Sequence, residues 1–251
     1  MSNFKGLFQT VAVFVAFVLT LLCLFAGTQK NFLEDVDLLT LSTPSVSTGS
    51  GTHDFYSVHV LSYCQGTLIT TDAGVEVTRN VTECSNRTIL SSFDLTQAWP
   101  KEVTSSPQLE WPRVISDDFH AFKMTSQVMA VMYSIGVGAM GVAMLVRVWA
   151  TLAPKACQGP IEFWFFVLGS FSISIASIIA TVIGFEFVAL INAHGKGSNV
   201  SAQHGEKFLG MTWAAVGLLV AGSVACFANA FINKRAASAP APAPVSKDIE
   251  G

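Results

Sequence analysis

Cys64 and Cys84 are the residues best placed to do chemistry: two thiols with nineteen residues between them, the second set in Asn-Val-Thr-Glu-Cys-Ser-Asn-Arg-Thr. Two Asn-x-Ser/Thr sequons flank Cys84, at Asn80 and Asn86, and a third lies at Asn199. Thiol oxidation and N-glycosylation both belong to the non-cytosolic side of a membrane. Of five cysteines only Cys64 and Cys84 fall there, and joining them closes a loop worth about 3 kcal/mol on the chain-entropy account. Cys23 and Cys226 sit in apolar runs and read as small packing residues. Cys157, beside the membrane on the inner side, is a candidate for palmitoylation.

The five histidines, His53, His59, His120, His194 and His204, fall on the same outer side as the sequons. With ordinary values near 6.5 they could respond to acidification, against the plainer reading of scattered surface imidazoles. No Ser-His-Asp or Cys-His arrangement, phosphate loop or His-x-x-x-His spacing occurs, so no catalytic residue, metal or cofactor is assigned.

The elements that must position these groups are membrane helices. Of 251 residues, 51% are hydrophobic and only 12% charged. Four uncharged runs, Leu7–Thr28, Met124–Val146, Phe163–Phe185 and Phe208–Ile232, are each long enough to cross a hydrocarbon core of about 30 Å as a helix. The first follows a single Lys5, as a secretory signal would, but its apolar part is too long and Leu-Phe-Ala-Gly is a poor cleavage site, so it reads as an uncleaved anchor.

The Lys/Arg bias across the loops is weak, and the sequons orient the chain better. Four spans put the first and third loops on one side, the glycosylated one, and both termini in the cytoplasm. The expected division is 1–6 cytoplasmic, 7–28 first span, 29–123 first extracellular loop, 124–146 second span and 147–162 cytoplasmic loop. It continues with 163–190 third span, 191–207 second extracellular loop, 208–232 fourth span and 233–251 a disordered, Ala-Pro-rich cytoplasmic tail. From Lys30 to Lys123 the outer loop is acidic, and nothing in the chain is basic enough for nucleic acid.

Within that loop, Val36–Leu41 reads as an apolar segment packed on the bundle, and Ser42–Thr52 as a flexible linker. Tyr56 to Tyr63 alternates with period two and reads as the core strand of a small antiparallel sheet. Thr67–Thr71 and Val75–Thr78 read as a hairpin across Asp-Ala-Gly. Asp117 and Asp118 suit the start of the second helix.

Small and hydroxyl residues at helical spacing predict the packing faces: Ser134 and Gly138 in the second span, Ser170, Ser174 and Ser177 in the third, Gly217 and Ala221 in the fourth. A hydroxyl-lined solute path along the third span is the sharper alternative. Glu186 lies twenty-four residues past Glu162, about 36 Å along a helix at roughly 1.5 Å per residue, which places it among outer headgroups.

These features together resemble the fungal Sur/PalI family, distant relatives of the claudins. The resemblance rests on Asp54-Phe55-Tyr56-Ser-Val-His59-Val-Leu-Ser-Tyr63-Cys64-Gln-Gly66, on the segment around Cys84, and on Val114 to Lys123, within four spans and a short third loop. It implies an all-α membrane protein: a claudin-like four-transmembrane-helix bundle with a small disulfide-stapled antiparallel β-sheet in the first extracellular loop. It further implies a non-enzymatic plasma-membrane organiser of cortical patches of the eisosome type. Such a protein would support wall integrity, endocytosis and stress response. Its partners would be the bilayer, further copies of itself, other cortical membrane proteins and the cell wall. An accessory subunit or chaperone of an ambient-pH or stress receptor is the alternative, and a small-solute transporter a third reading. The short tail favours the Sur branch over PalI.

Overall fold

The computed structural model describes residues 2–30, 32–43, 53–70, 77–85, 113–152, 159–194 and 200–237. Among the described residues four helices carry the bundle: α1 (Ser2–Phe25), α2 (Arg113–Leu152), α3 (Gly159–His194) and α4 (Glu206–Ala237). Among the described residues three stretches are long and apolar enough to cross a membrane, Ala121–Trp149, Ile161–Ala193 and Glu206–Val224, while the apolar stretch of α1, Thr10–Phe25, is shorter.

The helices overrun the uncharged runs that foretell them. α2 has 40 residues, about 60 Å at roughly 1.5 Å each, and begins at Arg113 rather than near Met124. A charge marks where hydrocarbon ends, but backbone bonds continue into the headgroup zone until the sequence stops them. Pro160 at the second position of α3, Glu162 in its first turn and Glu206 in the first turn of α4 are the residues that helix starts favour.

On one end of the bundle sits a five-stranded antiparallel sheet, ordered β4-β3-β2-β1-β5. Its strands are β1 (Leu39–Ser42), β2 (Phe55–Val58), β3 (Tyr63–Thr70), β4 (Val77–Cys84) and β5 (Ser201–His204). The expected hairpin is present as β3 and β4, with Thr70 opposite Val77; its turn lies outside the described residues.

Three expectations are corrected here. Tyr56 to Tyr63 is not one strand but two, because the chain reverses through His59–Ser62, where His59 N–H donates to the Ser62 carbonyl at 2.9 Å. Ser42, expected to open a linker, is the last residue of β1 and faces both Phe55 and Ser201. The loop 191–207, for which no strand was expected, supplies β5. Leu39-Thr40-Leu41-Ser42 does alternate, but four residues are too few for that alternation to mark a strand, and β5 is just as short.

Bundle and sheet share one hydrophobic core. Tyr133, Met140, Ile173 and Leu219 from the helices join Leu38, Leu39, Leu41, Tyr56 and Val58 from the sheet side. Phe55, Cys64 and Val81 form a second, smaller cluster.

Helices α2 and α3 cross where both lack side chains. A Cβ on Gly136 would stand 2.5 Å from Ile173 Cγ1, and one on Gly169 would stand 2.7 Å from Met140 Cγ. By contrast, nothing lies within 4 Å of a Cβ built on Gly138 or Gly217, and both residues, with Ala221, are exposed. These three, expected to pack, point away from the bundle. The error is one of phase: two residues along a helix turn about 200°, so Gly138 and Gly136 face opposite sides.

Candidate functional site

The disulfide Cys64–Cys84 joins directly opposed residues of β3 and β4, with their Cα atoms 4.0 Å apart. Beside it a bulge at Gln65/Gly66 shifts the register. Only glycine fits at position 66, since a Cβ there would come within 2.2 Å of the Asn80 carbonyl and 2.8 Å of the Phe55 ring.

The stapled sheet is seated on the end of α1. After Phe25 the chain passes through Gly27 in the left-handed region, φ 66°, and the Gly27 N–H donates to the Phe32 carbonyl at 3.0 Å. The Gly27 carbonyl in turn accepts from Ser62 Oγ at 2.8 Å. Cys64 Sγ lies 3.3 Å from the same oxygen, a close contact and not a hydrogen bond, because a disulfide sulfur has no proton to give.

His59 is packed against that glycine and is only 4% exposed. Its Nδ1 lies 3.0 Å from the Val36 carbonyl, which can only accept, so Nδ1 carries the proton and Nε2 is left to accept from Ser57 Oγ at 3.4 Å. Burial pushes the imidazole below its ordinary 6.5, with the Val36 carbonyl and the charges of Asp37 and Glu34 pulling the other way. The neutral ring is thus part of the joint between sheet and helix.

A second joint is ionic. Arg79 of β4 reaches across the sheet over the Phe55 ring, 5.9 Å from its centroid, to Asp37 Oδ2 at 3.6 Å and Thr40 Oγ1 at 3.2 Å. Thr40 donates its own hydroxyl proton to Asp37 Oδ2. The Asp37 backbone lies so near Gly205, just ahead of α4, that a Cβ there would collide with it. Nearby, Lys207 donates to Asp35 at 2.8 Å and holds that carboxyl below its usual range, although both groups are exposed.

The free edge of β5 is closed by one side chain. Asn192, near the end of α3, donates to the Ala202 carbonyl and accepts from the Ala202 N–H, both at 2.9 Å, as a neighbouring strand would. Inside the bundle, Thr212 of α4 bonds both Tyr133 of α2 and Ser177 of α3, the latter at 2.8 Å, and Trp213 donates to Thr181 at 3.0 Å. At the far end Arg147 pairs with Glu162 at 3.1 Å.

Of the residues singled out from sequence, Phe55, Tyr56, His59, Tyr63, Cys64, Gly66 and Cys84 come together in this sheet. Ser177 bonds Thr212, whereas Ser134 and Ser174 turn back to their own helix at Ala130 and Ser170. The side-chain oxygen of Ser170 is buried without a partner. Asn80 is exposed on β4, while Asn86, Asn199 and Cys157 lie outside the described residues. Of the histidines, His53 stands edge-on to Tyr56, His204 lies against Phe185, and His59 is buried. Among the described residues no group of three His, Cys, Asp or Glu could hold a metal ion.

Sequence reasoning missed Gly27, Asp37, Arg79, Asn192, Gly136 and Gly169. Only Gly27 had a readable signal, a glycine just past a helical run.

The SUR7/PalI family profile matches residues 6–225. No curated protein and no solved structure matches the chain.

Proposed function

The chain belongs to the SUR7/PalI family, and from that membership we propose that it is a non-enzymatic organiser of a cortical plasma-membrane domain of the eisosome type, with both termini cytoplasmic. In this role it supports wall integrity, endocytosis and the response to membrane stress. The observation that carries the reading is the construction of the outer face. Segments from both outer loops, β1 to β4 and β5, form one sheet fused to the helix ends through a shared core. Such a platform keeps its shape while presenting a constant surface to neighbouring proteins and to the wall.

Asn80 stands exposed on β4, and Thr82 of the same sequon follows on that strand, so a glycan there would extend from the platform without disturbing the core. The bundle's hydroxyl groups favour packing over transport. Ser177, Thr212 and Tyr133 satisfy one another at full burial.

Live imaging with photobleaching of a C-terminal fluorescent fusion, expressed at native level in the source cell, tests the proposal. Immobile cortical patches are the expected result. A diffuse, freely recovering surface signal or a reticular one overturns it and moves the weight to the receptor-accessory reading, which predicts co-purification of a larger membrane protein.

A further inference from the structure

α2 and α3 cross at Gly136 and Gly169, and nearer the sheet end they meet in the Phe122–Phe187 stack at 4.2 Å. Beside that stack a groove of about 320 Å³ opens, walled by Phe122, Thr125, Val182, Ile183 and Leu190, with Glu186 among its lining residues. The surrounding surface is apolar and outward-facing: Met124, Val128, Ile178, Val182 and Phe185 are each about half exposed. The groove therefore opens into lipid.

Glu186 is exposed and has no hydrogen bond or ion pair with any described residue. Its depth is fixed by the Arg147–Glu162 pair at the other end of the same two helices. Twenty-four residues separate Glu162 from Glu186, about 36 Å at roughly 1.5 Å per residue, so the carboxylate stands at headgroup level in the sheet-side leaflet. An unpaired anion above an apolar groove selects an amphiphile with a cationic, hydrogen-donating head.

We propose that this groove is a lipid site, taking an acyl chain of a phospholipid whose primary ammonium headgroup pairs with Glu186. An ethanolamine head offers three N–H donors to the carboxylate. A choline head carries the same charge but no donor. The site stands independently of the cortical role proposed above.

The test reconstitutes the full chain in phosphatidylcholine vesicles and measures, by electron spin resonance, the motionally restricted fraction of an acyl-labelled phosphatidylethanolamine or phosphatidylcholine. The ethanolamine label should be enriched at the protein roughly two- to fivefold over the choline label, the range of an exposed ion pair. Glu186→Gln should erase the preference, and Glu186→Asp should retain part of it. Val182→Trp, which fills the groove, should reduce restriction of the ethanolamine label. Equal restriction of the two labels, a preference that survives Glu186→Gln, or displacement of the ethanolamine label by a spin-labelled sterol would each overturn the assignment. Position 186 is exposed, so an unchanged thermal unfolding curve for Glu186→Gln separates lost binding from lost fold.

Discussion

The imidazole of His59 fills the space that a side chain on Gly27 would need, its Cδ2 only 2.2 Å from where a Cβ would stand. One residue follows the end of α1 and the other sits in the turn between β2 and β3, thirty-two positions later. Their contact couples the sheet to the bundle.

Gly27→Ala meets both that ring and the cost of a left-handed φ. Together these should destabilise the protein by about 2–4 kcal/mol. Thermal unfolding in detergent should show a lower midpoint, while Gly138→Ala, on an open face, should leave it unchanged. A Gly27→Ala protein as stable as the parent would mean the joint is loose.

His59 also sets a pH dependence. Its folded value lies below the ordinary 6.5, so below that pH the unfolded chain binds the proton more readily than the folded one. The contribution is fully present above about pH 6.5 and is lost as pH falls, with a slope of at most about 1.4 kcal/mol per unit. Unfolding midpoints measured from pH 7.5 down to 5 should decline, and His59→Gln should flatten that limb. Asp35, lowered from 3.8, acts only at more acid pH and does not blur the window.

Removing the staple by Cys64→Ser should cost about 3 kcal/mol and leave a free thiol at Cys84. Altered nonreducing mobility and retention in the secretory pathway are expected. Normal surface delivery with unchanged mobility would count against a structural role for the bond.

The two glycines of α2 make an internal contrast. Gly136→Leu drives a side chain into Ile173 and the α3 backbone and should disrupt folding, whereas Gly138→Leu points outward and should be tolerated. Expression and monodispersity in detergent read the difference directly.

Hydropathy, thiol count and turn residues are properties of short stretches, and they survive in the bare sequence. The four apolar runs, the Cys64–Cys84 pair and the β3–β4 hairpin were legible for that reason. Helix rotation is not local in this sense. Ser134 and Gly138 satisfy the same spacing rule as a true contact face, yet a phase difference of about 200° puts Gly136 on the crossing instead.

The sheet's full extent was hidden for another reason. β1 and β5 are four residues long and about 160 positions apart; β5 is a strand because β1 supplies its ladder bonds, and β1 because β2 and β5 together supply its own. Asp37, Arg79 and Asn192 look like ordinary loop and helix-end polar residues until folding buries or pairs them. By itself the sequence determined that the chain is a membrane protein with a stapled segment between its apolar runs, because apolar length and paired thiols are local properties. The tertiary structure alone decided which face of each helix is inside and that the segments before α2 and between α3 and α4 share one sheet, because those outcomes depend on contacts between residues that no local pattern connects.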